Sequence, residues 1–175
     1  MIRRCLSACE SVCGPTPPKT LRLCGDVSSN LIVDISFRPD TVIVCFELSD
    51  YSFFLSKQYI HRLVAPVMGR MHDIVQHVAV VVMTGFGLGG ACAITAACLL
   101  NHHCVNLVTF GAPKCLERSQ VELLREKLIS CLQFIGYYDP KTYLFFGYQH
   151  VTTNNILNCG PWLESYFSVL NVDNK

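Results

Sequence analysis

The sequence predicts an α/β domain, a mostly parallel sheet with helices on both faces, and three observations predict it. Two β-rich runs face each other across a proline turn, strands and helices then alternate, and one charge-free segment divides into a strand, a glycine turn and an alanine-rich helix. A chain of 175 residues buries a real core yet suffices for only one ordinary domain. Hydrophobic residues make up 51% and charged residues 15%, which argues against a disordered chain and points to a well-filled interior or a membrane contact.

The elements follow in order. Gly14-Pro15-Thr16-Pro17-Pro18 withholds backbone donors and fixes φ, so residues 1–20 are expected to be an arm or linker and residues 21–175 the domain. Leu31–Phe37 and Thr41–Glu47, separated by Arg38-Pro39-Asp40, are expected to form a hairpin. From Ser56 to about His77, Ile60, Leu63, Val64, Val67, Met71, Ile74 and Val75 recur at steps of three and four, a helical stripe that Pro66 should kink or split. Asn106–Phe110 is a short strand stopped by Gly111-Ala112-Pro113, and with the segment before it completes a parallel βαβ unit. Val121–Leu132, with Leu124, Leu128 and Leu132 along one face, is expected to be an amphipathic helix, and Gln133–Tyr138 the next strand.

Val78–Leu100 holds no charged residue, the usual mark of a transmembrane helix. Its interior argues otherwise. Val78–Val82 is strand-like, Thr84–Gly90 carries four glycines in seven positions, and Ala91–Leu100 is rich in helix formers. Flanking lysines, arginines and interfacial aromatics are missing, so a buried strand, tight turn and buried helix is expected and no membrane span.

Charge and cysteine usage narrow the partners. The net charge is +1 with no basic run, so nucleic acid is not expected as a partner. Eleven cysteines are an odd count, and Cys45, Cys92, Cys98 and Cys104 sit in apolar runs where cysteine acts as a small hydrophobe. A reducing, intracellular and cytoplasmic setting is expected, with no signal peptide, because Ser7, Glu10 and Ser11 interrupt the segment after Arg3-Arg4. His102-His103-Cys104 and the spacing of Cys5, Cys9 and Cys13 lack the paired Cys-x-x-Cys of zinc sites. Gly85, Gly87 and Gly90 satisfy the spacing of a dinucleotide fingerprint, an alternative that spacing leaves open, while no Gly-Lys-Ser or Gly-Lys-Thr supports a phosphate loop. No metal or cofactor is expected.

Thr84-Gly85-Phe86-Gly87-Leu88-Gly89-Gly90 resembles the nucleophile elbow of the class 3 lipases, in which a strand ends in Gly-His-Ser-Leu-Gly-Gly before an alanine-rich helix. Asn106–Pro113 is similar to that family's next strand, which commonly ends in Thr-Phe-Gly with a proline two residues on. Val42–Ser49 resembles the earlier strand ending in Phe-Arg-Gly-Thr, Tyr138-Asp139-Pro140 the strand end with the triad aspartate, and Gly147–Val151 a Gly-Tyr-x-His stretch. The resemblance spans roughly Leu31 to Phe167 and implies an α/β-hydrolase domain.

It also implies which chemistry is lost. In an active lipase the serine attacks an ester carbonyl, a histidine takes its proton, and an aspartate orients that histidine. By resemblance Gly87 holds the nucleophile position, Asp139 the acid position and Leu163 the base position, in the stretch Trp162-Leu163-Glu164-Ser165-Tyr166-Phe167. His150 matches a family histidine that is not the base and is a secondary candidate for that role. Ser49, Phe86 and Leu88 fall at oxyanion-hole and pocket positions, with the Leu88 amide as one donor. The expectation is a pseudoenzyme that binds a protein partner or a lipid or acyl ligand. The alternative is an active lipase or esterase whose serine has been substituted.

Overall fold

The computed structural model describes residues 20–24, 31–48, 57–102, 104–136, 148–151 and 156–159. Seven strands lie side by side in chain order: β1 (Thr20–Cys24), β2 (Leu31–Phe37), β3 (Thr41–Leu48), β4 (Val80–Phe86), β5 (Val105–Phe110), β6 (Leu128–Gly136) and β7 (Ile156–Cys159). β1, β2 and β3 pair antiparallel, and every pairing from β3 to β7 is parallel. Parallel neighbours need a crossover, supplied by α1 (Lys57–Val75), α2 (Leu88–Leu99) and α3 (Arg118–Lys127).

Alternation along the strands sorts side chains onto two faces. Val42, Val44 and Phe46 of β3, Val81 and Met83 of β4, and Val105 and Leu107 of β5 enter one large core. All three helices contribute to it, through Val64, Val67 and Met71 of α1, Ala91 to Ala97 of α2, and Val121 and Leu124 of α3. Ile43, Val82, Val108, Phe110 and Phe134 form a smaller cluster on the opposite face. The helices expected on that second face are not among the described residues.

The charge-free run resolves into β4, a one-residue turn at Gly87, and α2. Every residue of α2 from Gly89 to Ala97 is buried, because the sheet lies on one side and other helices pack on the rest, so a helix apolar all round fits this interior position. At 12 residues α2 is about 18 Å long, well short of a hydrocarbon core. Among the described residues no helix is long and apolar enough to cross a membrane.

Several boundaries depart from expectation. Pro66 does not split α1, which runs unbroken from Lys57 to Val75 with that residue on its solvent side, where water can satisfy the carbonyl one turn earlier. The helix expected over Val121–Leu132 is instead α3 at Arg118–Lys127, started by a reciprocal capping box between Glu117 and Gln120. Leu128 and Leu132 belong to β6, where pairing of Leu128 with Val105 and of Leu132 with Val108 outweighs helical periodicity. Strands β1 and β7 have no counterpart in the expected elements, and of the expected arm only Thr20 is described, as the first residue of β1.

Two polar contacts tie the ends of this arrangement. Lys127 reaches the carbonyls of Cys98 and Leu100 at 3.2 and 3.4 Å, placing a cation at the C-terminus of α2. Asp34 is only 2% exposed, and Arg22 of the edge strand grips it with two hydrogen bonds, Nε at 2.8 Å and Nη2 at 3.1 Å. Removing the arginine strands a buried carboxylate, whereas removing both groups does not. Arg22→Ala should therefore lower folding stability by about 2 kcal/mol, and Arg22→Ala with Asp34→Leu by clearly less, as read from urea denaturation. Equal losses would show that the pair contributes nothing.

Candidate active site

The candidate site sits where β4 ends and α2 begins, at the carboxyl edge of the parallel strands, the usual ligand edge of an open α/β sheet. Gly87 alone makes the turn, with φ 56° and ψ −122°. An L side chain rarely adopts that backbone, and strand and helix can meet in one residue only because this conformation is available. The Gly87 amide donates to the Phe110 carbonyl of β5 at 2.8 Å, which pins the turn to the neighbouring strand. The first intrahelical bond runs from the Ala91 amide to the Gly87 carbonyl at 3.2 Å. The amides of Leu88, Gly89 and Gly90 precede it and have no carbonyl of their own helix to bond.

The other glycines serve a different need. A Cβ on Gly85 would run into the Gly89 backbone, and one on Gly89 into the Phe46 carbonyl of β3. A Cβ on Gly90 would lie 2.8 Å from that of Ala112, in the loop after β5. These three let α2 approach β3, β4 and β5 closely. At Gly87 a Cβ would meet nothing within 4 Å among the described residues.

Phe86 and Leu88 flank this space on different sides. Phe86 packs with the smaller cluster, in register with Phe110, whose ring stacks on Phe134 at 4.8 Å, while Leu88 packs against the main core. Both are partly exposed. Ser49, Asp139 and Leu163 lie outside the described residues.

His150 is described and sits in a short segment clamped to the rest. The Gln149 amide donates to the Leu116 carbonyl at 3.0 Å, and Arg125 Nε donates to the Val151 carbonyl at 2.6 Å. Burial pushes the pKa of His150 down to about 4, with the charge of Lys114 acting in the same direction, so the ring is neutral near pH 7. Its Nδ1 is buried without a hydrogen-bond partner among the described residues. The neighbour Lys114 was not singled out by the sequence, because proximity across the Leu116–Gln149 bridge carries no sequence signal. Among the described residues no group of three or more His, Cys, Asp or Glu could hold a metal ion. His102 instead accepts from the Cys104 amide at 3.2 Å and lies 3.1 Å from the Val78 carbonyl, joining the ends of two strands.

The class 3 lipase model matches residues 43–144, more than half of the chain. The chain belongs to the class 3 lipase family. Among solved structures, the Rhizomucor miehei triacylglyceride lipase is similar at 16% identity and a TM-score of 0.59, covering 80% of this chain and 63% of that one. A lipase from Rhizopus microsporus var. chinensis is similar at 17% identity and a TM-score of 0.52, covering 84% and 62%. A triacylglycerol lipase whose catalytic centre is formed by a serine protease triad is similar at 16% identity and 0.60, covering 80% and 64%. The chain thus spans less than two thirds of the length of these lipases. No curated protein matches it. Its fold is the single α/β-hydrolase domain of this family, a mostly parallel sheet with helices, and the family match covers the glycine run in place of the dinucleotide alternative.

The geometry of the turn makes two outcomes measurable. Gly87→Ser should fold but lose about 1–2 kcal/mol, since the space is open and only the backbone conformation resists. Gly89→Ala should be far more damaging, because its Cβ meets backbone that cannot give. Thermal melts that rank the two variants equally would refute this division.

A second outcome concerns pH. A histidine whose pKa falls on folding binds its proton more readily in the unfolded chain, so stability should drop as pH falls from the ordinary value of about 6.5 towards about 4. His150→Gln should flatten that part of the stability profile, measured by urea denaturation at pH 7, 5.5 and 4.

Proposed function

We propose that this chain is a catalytically defective lipase-like protein, a pseudoenzyme that keeps the class 3 lipase fold as a scaffold for binding a protein partner or a lipid or acyl ligand. The observation that carries the reading is Gly87, a residue with no side chain at the strand-to-helix turn where a lipase presents its serine. Without that oxygen no acyl-enzyme can form. The nearest described thiol on α2 is no substitute. Burial raises the pKa of Cys92 to about 12, which keeps it protonated and poorly nucleophilic at neutral pH. Resemblance places Leu163 at the base position, and loss of nucleophile and base together removes the covalent route. An intracellular, reducing location belongs to the same proposal, which treats such buried thiols as core residues.

Binding survives this loss more readily than chemistry. The amides at the start of α2 still offer donors and a positive helix end to a carboxylate or ester oxygen, and Phe86 and Leu88 supply apolar surface on either side. A fatty acid or lysolipid suits that combination. One observation favours a second reading, an active lipase or esterase with its serine substituted: among the described residues nothing lies within 4 Å of a Cβ at Gly87. That reading also needs a base, and His150 is the described candidate.

Purified protein should not hydrolyse short or long acyl esters, and Gly87→Ser alone should recover little turnover. Substantial hydrolysis by that single variant, abolished on adding His150→Gln, would revive the enzyme reading. Calorimetric titration with fatty acids of increasing length should give saturable binding that a bulky Leu88→Trp weakens. Absence of any saturable heat at every chain length would remove the acyl ligand and leave a protein-binding scaffold.

A further inference from the structure

We draw no further inference here: the strongest candidate, the exposed apolar patch of Leu123 and Ile129 where α3 runs into β6, carries nothing, because no feature of the structure shows what covers it.

Discussion

The close approach of α2 to the middle of the sheet is the constraint on which the rest depends. The helix lies against β3, β4 and β5, and it can do so because Gly85, Gly89 and Gly90 put hydrogens where a methyl group would strike backbone or Ala112. Close packing of this kind gains dispersion contacts along a helix whose surface is almost wholly apolar. α1 and α3 then pack onto α2 and the same side of the sheet, so the main core is organised around it. The lysine capping the far end of α2 completes its anchoring, since carbonyls at a buried helix terminus need partners.

That constraint separates what the motif says about fold from what it says about chemistry. Three of the four glycines in Thr84–Gly90 are required by packing whether or not the protein catalyses anything. Their presence therefore supports the hydrolase fold and is silent about activity. At residue 87 the constraint is the backbone conformation alone, since among the described residues a Cβ there would meet nothing within 4 Å.

Much of this architecture was legible because local patterns and tertiary needs agreed. The hairpin of β2 and β3, the stripe of α1, and the strand–turn–helix at Gly87 each follow from alternation, three-to-four periodicity, or a glycine run. Where they conflicted, local periodicity misled. Leu124, Leu128 and Leu132 have helical spacing, yet the ladder between β5 and β6 claims the last two, a long-range contact that no window of sequence displays. The tight turn expected within Thr84–Gly90 is confined to residue 87, and the flanking glycines form no loop. Here they mark close approach inside regular elements, with the strand reaching Phe86 and the helix starting at Leu88. Edge strand β1 was missed for a related reason: it is defined by its antiparallel ladder to β2, to which the Arg22–Asp34 pair adds, and neither shows in a window of sequence. At the site, residue types at 86, 87 and 88 could be read directly. The divergence of Phe86 and Leu88 onto opposite faces, and the neutral state of His150 beside Lys114, depend on surroundings assembled only by folding.

The conformation of the turn bears on which residues the fold tolerates at position 87. A side chain held at positive φ costs of order 1–3 kcal/mol, and an active hydrolase carries that cost to present its nucleophile. Glycine accepts φ 56° without steric penalty, so a chain with glycine here keeps the turn, the helix and the close packing while shedding strain. Domains are only marginally stable, so a difference of this size matters to the fold. The amides at the start of α2 are the same whatever residue stands at 87, because they belong to the backbone. Glycine at this turn thus combines low backbone strain with a helix start whose donors do not depend on any side chain at residue 87.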